Sequence, residues 1–284
     1  MAYKKEWFND DEFWETFAPI IFDAAHWQEV PAAADGLVHF TNLDLDWKRK
    51  PSSAGVEGDA CGTETAAGTP AGTPRCLDQC CGFGRISLEM ARRGFAVTGV
   101  DITETYLETA KDDAAHENLS IEFIRDDVRS FCRKNYFDLV YNVYTSFGYF
   151  EDPADDARVV KNAFTSLKSG GTYVIETLGK EIAVRDFVQA DWFERAGFYV
   201  LTAYESADSW SSLKNRWILI SQTDQGRIKR GGIIEKSFTQ RLYGADTLQR
   251  LFRDSGFGTI ETYGGWDGRN YDEDALALVV VGKK

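Results

Sequence analysis

Four residue types are scarce in this chain. Among 284 residues there are three histidines, two methionines, five cysteines and six prolines. An odd and small set of cysteines does not make a disulfide framework. Cys80 and Cys81 are adjacent, so they cannot clasp a metal as a Cys-x-x-Cys pair does, and three histidines add little. No metal site is expected, and both cysteines read as small residues in a crowded loop. No run of about 18 apolar residues exists, which argues against a membrane-spanning helix. The opening Met1-Ala2-Tyr3-Lys4-Lys5-Glu6 lacks the apolar centre of a secretory signal, so a cytoplasmic location is expected. Cations are in deficit too: 32 Lys and Arg against 45 Asp and Glu leave a formal net charge of -13. Nucleic-acid binding, which sets clustered cations against phosphates, is disfavoured.

What the chain does carry is concentrated between residues 76 and 101. The run Cys76-Leu77-Asp78-Gln79-Cys80-Cys81-Gly82-Phe83-Gly84-Arg85 reads as a strand entering a small-residue loop. A helical stretch follows, then Val97-Thr98-Gly99-Val100-Asp101, a second strand ending on a carboxylate. Gly82 and Gly84 remove side chains where the backbone must turn and approach a ligand, and Asp101 is placed to chelate the two hydroxyls of a ribose. The ligand should contain a nucleoside. A dinucleotide pattern asks for a third small residue at position 87, which Ser87 nearly supplies. Asp78 favours a different ligand, because a carboxylate there repels a pyrophosphate and attracts a cation.

At these residues the chain resembles the class I S-adenosylmethionine (SAM) dependent methyltransferases, whose first motif is an acidic residue leading into a Gly-x-Gly loop. Further segments extend the resemblance. Ile121-Glu122-Phe123-Ile124-Arg125-Asp126-Asp127-Val128 is similar to the family's third strand, which implies that Asp127 and the Val128 amide meet adenine. Phe137-Asp138-Leu139-Val140-Tyr141-Asn142 resembles the fourth strand, and Leu167-Lys168-Ser169-Gly170-Gly171-Thr172-Tyr173-Val174-Ile175-Glu176 the helix end, double-glycine turn and fifth strand. The resemblance implies a doubly wound α/β fold, a seven-stranded Rossmann-like sheet, with SAM as cofactor and S-adenosylhomocysteine (SAH) as product. Two alternatives stay open: a nicotinamide-dependent oxidoreductase, for which no Tyr-x-x-x-Lys pair is present, and a SAM-binding protein without methyl transfer.

Around this core the chain divides into recognisable stretches. Residues 1–47 are rich in aromatics, with Phe13, Phe17, Ile20 and Ile21 at helical spacing, and are expected to form lid helices. Residues 48–75 read as a flexible surface excursion without assigned function, with Lys48, Arg49 and Lys50 a solvated patch. The core spans 76–182, with helices expected over 84–93, 103–116 and 154–168; Gly94 ends the first and Gly170 follows the third as its left-handed C-terminal residue. Residues 183–243 break the alternation. Three strands over 198–204, 216–222 and 233–242, with a turn at 224–226, predict an inserted antiparallel sheet over the site. Residues 244–284 complete the core sheet, with a helix over 246–253 ended by Gly256 and strands over 259–263 and 275–281.

Ligands of open parallel sheets sit at the carboxyl ends of strands where strand order reverses. That places Asp78, Cys80, Gly82, Gly84, Arg85, Asp101, Ile102, Asp127, Val128 and Asn142 around the cofactor, with Arg85 able to meet the methionine carboxylate. The exit of the fourth strand, Asn142-Val143-Tyr144-Thr145, departs from the Asn-Pro-Pro-Tyr pattern of methylases acting on DNA bases and protein glutamine. A small-molecule acceptor with a nitrogen or oxygen nucleophile is therefore expected. Tyr144 and Tyr149 are the first candidates for touching it, followed by Tyr204, Arg216, Trp217 and Tyr243. Asn215-Arg216-Trp217, Arg241-Leu242-Tyr243-Gly244 and Ser255-Gly256-Phe257 resemble the substrate-covering region of bacterial small-molecule methyltransferases, some of which methylate amino groups of sugars and amino acids. No catalytic base is assigned; His26 and His116 are candidates, with His116 also placed to cap a helix. A homodimer is left open.

Overall fold

Strand residues alternate between two buried faces, and this period of two builds the centre of the molecule. The computed structural model describes residues 6–22, 24–41, 43, 72–223 and 228–284. The core strands are β1 (Arg75–Gln79), β2 (Ala96–Asp101), β3 (Ile121–Arg125), β4 (Phe137–Asn142) and β5 (Leu167–Thr177), followed late in the chain by β10 (Thr259–Tyr263) and β11 (Leu278–Lys283). They form one sheet in the order β3-β2-β1-β4-β5-β11-β10, parallel except for β11, which runs against both neighbours. Leu77, Val140, Tyr173, Ile175 and Val280 fill a cluster on one face; Cys76, Leu139, Tyr141, Val174 and Val281 fill another. A sheet covered on both faces buries apolar side chains on each, as the long apolar stretches of β5 and β11 show.

Helices α3 (Val30–Thr41) and α4 (Arg85–Arg92) supply Leu37, Phe40, Ile86 and Met90 to the second cluster. Helices α6 (Pro153–Ser166) and α8 (Ala245–Ser255) supply Val159, Val160, Leu248 and Phe252 to the first. Helix α5 (Glu104–His116) joins β2 to β3. The Asp152 side chain accepts from the Ala154 N–H and Pro153 occupies the first turn, so α6 begins where that chemistry dictates. Gly94 and Gly256 follow α4 and α8 in the left-handed region.

Gly170 is also left-handed, but for a different reason than expected. α6 ends at Ser166, and Leu167 is already extended and fully buried opposite Phe137. Gly170 and Gly171 instead form an irregularity within β5, tied to the C-terminus by Gly170 N–H to Lys284 O at 2.8 Å and Lys284 N–H to Gly171 O at 3.0 Å.

Between β5 and β10, after α7 (Lys180–Arg185), the chain builds a separate antiparallel meander: β6 (Ala190–Arg195), β7 (Phe198–Ala207), β8 (Ser212–Gln222) and β9 (Ile228–Arg241). It has four strands rather than three. β6 carries Asp191, Glu194 and Arg195 on an edge, and charge on an edge strand blunts the apolar alternation that announces strands. The expected turn at 224–226 falls outside the described residues, as does nearly all of the 48–75 excursion.

Helix α1 (Asp11–Ile21) lays Phe13, Phe17 and Ile20 against Val200, Leu219 and Trp217 of the meander, and the short α2 (Ala24–Gln28) leads on to α3. Arg195 Nη1 donates to Ile20 O at 3.1 Å, and Tyr106 Oη on α5 donates to Trp14 O at 2.6 Å. A polar seam ties the last strand of the meander to the core. Arg241 N–H donates to Gly148 O at 2.6 Å, Arg241 pairs with the buried Asp156, and Tyr243 Oη donates to the same carboxylate at 2.7 Å. A Cβ on Gly148 would lie 2.6 Å from Arg241 O, so only glycine fits there. Among the described residues, no helix is long and apolar enough to cross a membrane.

Candidate active site

β1 continues on one side to β2 and on the other to β4, so the strand order reverses at its carboxyl end. A cavity of about 530 Å³ opens there, within the range of small-molecule sites. One wall consists of the ends of β1, β2 and β3, and the other of α1 with Trp217 and Phe238 of the meander.

After β1 the chain turns through left-handed Cys80 and Gly82 (φ 59° and 55°) and then Gly84 (φ 72°), which starts α4. Non-glycine residues visit this region at a cost. Asp101 holds the turn: its Oδ2 accepts from Gly82 N–H at 2.8 Å and its Oδ1 from Thr103 N–H at 2.9 Å. Burial pushes the Asp101 carboxyl up, and those N–H donors oppose the shift. Asp78 accepts from Ser87 Oγ at 2.7 Å. Burial, with Asp101 adding, raises its carboxyl to about 7, while Ser87 and Arg85 pull it down. The Cys80 and Cys81 thiols are pushed well up, chiefly by burial, and remain protonated thiols.

Arg85 is 5% exposed and stacks on the Tyr144 ring, its Cζ 3.7 Å from the ring centroid. Its Nη1 has no hydrogen-bond partner. Burial lowers its pKa against the influence of Tyr144, Glu29, Asp78 and Glu176. Beyond β4, Tyr144 and Thr145 are both left-handed, at φ 56° and 60°. Glu176 Oε2 accepts from Tyr144 N–H at 2.5 Å and Glu176 O from Thr145 N–H at 3.4 Å. Tyr144 Oη is buried without a partner, and burial raises its pKa to about 12. At the other end of the cavity Arg129 binds Asp127 at 2.6 Å, Glu6 at 2.9 Å and Asp155 at 3.1 Å.

Of the expected cofactor residues, Asp78, Cys80, Gly82, Arg85, Asp101, Ile102, Asp127 and Val128 line this cavity. Gly84 and Asn142 do not. A Cβ at Gly84 would meet Phe123 Cζ at 2.9 Å and Ala110 Cβ at 3.0 Å, so this glycine serves helix–sheet packing. Asn142 is buried behind Cys80, its Nδ2 3.9 Å from Cys80 Sγ. Of the expected acceptor residues, Tyr144, Tyr149 and Trp217 line the cavity and Tyr204, Arg216 and Tyr243 lie elsewhere. Tyr204 packs near Leu213 and Leu242, Arg216 pairs with Glu235 at 2.7 Å, and Tyr243 faces Asp156. His26 lines the cavity, whereas His116 Nδ1 lies 2.7 Å from Asp112 O on α5. Glu29, Tyr106 and Phe238 also line it, and no motif marks their place; so does Glu176, the last residue of the fifth-strand motif, which carried no site role in the sequence.

The family model described as a methyltransferase domain matches residues 76–171. A protein of Geobacillus sp. (strain WCH70) that bears a methyltransferase name is 22% identical over 221 residues, 75% of this chain and 85% of that protein. The crystal structure of a SAM-dependent methyltransferase from Clostridium acetobutylicum ATCC 824 superposes with a TM-score of 0.72 at 12% identity, covering 95% of this chain and 98% of that one. A SAM-bound amino pentose methyltransferase from Micromonospora echinaspora gives a TM-score of 0.55 at 20% identity, over 75% and 84% of the two chains. Residues 76–171 thus match a methyltransferase domain, and the fold of the chain is that of SAM-dependent methyltransferases of known structure.

Proposed function

We propose that this chain transfers the methyl group of SAM to a nitrogen or oxygen nucleophile of a small molecule enclosed between α1 and the meander. The observation that carries this reading is the double wall of the cavity, strand ends on one side and an aromatic cover on the other. A small acceptor has to be aligned and dried to react, and a cover does both.

The residues fit SAM. Gly82 leaves space where a Cβ would stand 3.1 Å from the Phe22 ring, and the orphaned Arg85 Nη1 is a donor awaiting an anion. In this reading Asp78 meets the α-ammonium, Arg85 the methionine carboxylate, Asp101 the ribose hydroxyls, and Asp127 with the Val128 N–H the adenine. When bound, SAM supplies an electrophilic methyl carbon on a sulfonium. The chain's own work is positioning: Tyr144, Tyr149 and Trp217 hold the acceptor, while α1 and the meander exclude water. The amino pentose acceptor named for the Micromonospora neighbour supports a small acceptor. Residues 1–47 act as lid, 76–182 as cofactor core and 183–243 as cover.

Calorimetric titration tests the cofactor half. SAH binds and NAD does not; the reverse result identifies an oxidoreductase. A panel of amines, phenols and carboxylic acids, read by mass spectrometry for the gain of one methylene, tests the transfer. SAH binding without any turnover across that panel would favour a binding module.

A further inference from the structure

The cavity carries more negative charge than SAM uses. Glu29, Asp78, Asp101, Asp126, Asp127 and Glu176 line it against two arginines, Arg85 and Arg195, and Asp78, Glu29 and Glu176 lie around the Arg85 guanidinium. The inference rests on the cofactor placement just proposed, in which Asp78 is matched by the α-ammonium and Arg85 by the α-carboxylate. Glu29 and Glu176 then remain beside the sulfonium, one carboxylate more than that charge requires at this end of the cavity. Glu29 is exposed ahead of α3, whereas Glu176 is partly buried at the end of β5.

Topology sets Glu176 beside the transfer point. β5 pairs with β4 so that Ile175 lies opposite Asn142, which puts Glu176 level with the exit of β4. There it holds Tyr144 and Thr145 in their left-handed conformations through the two hydrogen bonds described above. Backbone strain of this kind persists where the surroundings over-determine it, as they do at functional sites. Two buried polar atoms without partners, Arg85 Nη1 and Tyr144 Oη, belong to the same group of side chains and mark it as built for a ligand.

We propose that Glu176 binds the acceptor as an ammonium beside the methyl group and takes its proton, so that the substrate is a primary or secondary amine. An ammonium has no lone pair to attack with. One N–H proton passes to the Glu176 carboxylate, giving a neutral amine and a carboxylic acid. The nitrogen lone pair then forms the N–C bond to the methyl carbon as the C–S bond breaks, and that electron pair leaves on sulfur as the thioether of SAH. The methylated ammonium departs and Glu176 returns its proton to water. Burial, with Glu29 adding, raises the Glu176 carboxyl to about 7 against the Tyr144 N–H and Arg85, which suits proton exchange near neutrality. The charged and titratable groups facing it are Glu29, Arg85 and Tyr144, with Asp78 on the far side of Arg85 and Tyr144.

Binding alone tests this, without knowing the acceptor. Sinefungin carries an amine-bearing carbon where SAM has its methylated sulfonium, and so presents an ammonium at the transfer point. At pH 7 the unaltered chain should bind sinefungin about tenfold more tightly than SAH, the ratio expected for one charged hydrogen bond. Glu176→Gln keeps an amide oxygen for Tyr144 N–H; it should hold SAH within about twofold and lose the preference for sinefungin. Glu176→Asp keeps the charge and should retain part of that preference. A preference that survives in Glu176→Gln, or is missing from the unaltered chain, overturns the proposal. Failure to bind either compound refutes the cofactor reading instead. In paired acceptors of one skeleton, methylation of the amino member is expected, and methylation of the hydroxyl member also overturns it.

Discussion

Replacing Asp101 by asparagine should loosen the empty protein before any ligand is added. Both carboxylate oxygens accept backbone N–H groups, from Gly82 at 2.8 Å and Thr103 at 2.9 Å, and the residue is 8% exposed. Asparagine offers one acceptor oxygen and one NH2, so one of those N–H groups must face another donor. A lost charge-assisted bond is worth about 1.5–3 kcal/mol and an unsatisfied buried donor about 1–3 kcal/mol. The variant no longer buries a charge, which offsets part of this, and the net cost should be about 2 kcal/mol. For a chain of 284 residues that lowers the melting temperature by roughly 3–4 °C. In the cofactor placement proposed above the same turn presents Gly82 to the nucleoside, so SAH affinity should fall about 30-fold, the equivalent of about 2 kcal/mol. Differential scanning calorimetry of the unliganded variant and titration with SAH give the two numbers. A melting temperature equal to that of the unaltered chain would refute the idea that Asp101 organises the turn.

Other substitutions probe the rest of the cavity. Gly82→Val places a branched side chain at φ 55° and a Cβ 3.1 Å from the Phe22 ring; the backbone strain alone is about 1–2 kcal/mol, and SAH binding should vanish while circular dichroism stays that of a folded chain. Normal binding would move the cofactor elsewhere. Asp78 and Glu176 both sit near 7, above ordinary values of 3.8 and 4.5, so the folded chain holds protons that the unfolded chain releases in between. Their contribution to stability therefore falls as pH rises from about 4 to 7, by at most about 3 kcal/mol for Glu176. Glu176→Gln should be more stable than the unaltered chain at pH 8 and gain nothing at pH 4; a gain that grows on acidification contradicts this sign. Arg129→Ala leaves Glu6, Asp127 and Asp155 facing one another, at about 1–3 kcal/mol, and should make residues 1–28 the first site of limited proteolysis. Unchanged proteolysis would show that Glu6 does not secure the lid.

Much of this architecture could be read from the chain, for identifiable reasons. β2 was legible because Val97-Thr98-Gly99-Val100-Asp101 is an apolar run closing on a carboxylate, and α1 because Phe13, Phe17 and Ile20 share one helical face. The acceptor wall was harder. Arg216 and Trp217 are adjacent in a strand, so they face opposite sides of the sheet and only one can enter the cavity. Trp217 does, with its ring 5.6 Å from Phe17, while Arg216 meets Glu235 outside. Nothing local distinguishes the two faces until the partner helix is placed. Glu176 escaped notice for a related reason: it closes a strand signature, and only the pairing of β5 with β4 brings it to Tyr144. Gly84 and Asn142 belong to motifs whose neighbours line the cavity, yet packing against Phe123 and Cys80 turns these two away from it.

The seam at Gly148, Asp156 and Arg241 has a consequence for how this chain can diversify. Residues 190–241 form a cassette attached to the core through few polar ties, and its inner face supplies Trp217 and Phe238 to the cavity. The strand ends on the opposite wall of the cavity come from residues upstream of it. Acceptor scope can therefore drift through the cassette while the methyl donor stays the same, provided that glycine remains at 148 and an acid at 156. Grafting related meanders onto this core at that junction is a direct route to new acceptors.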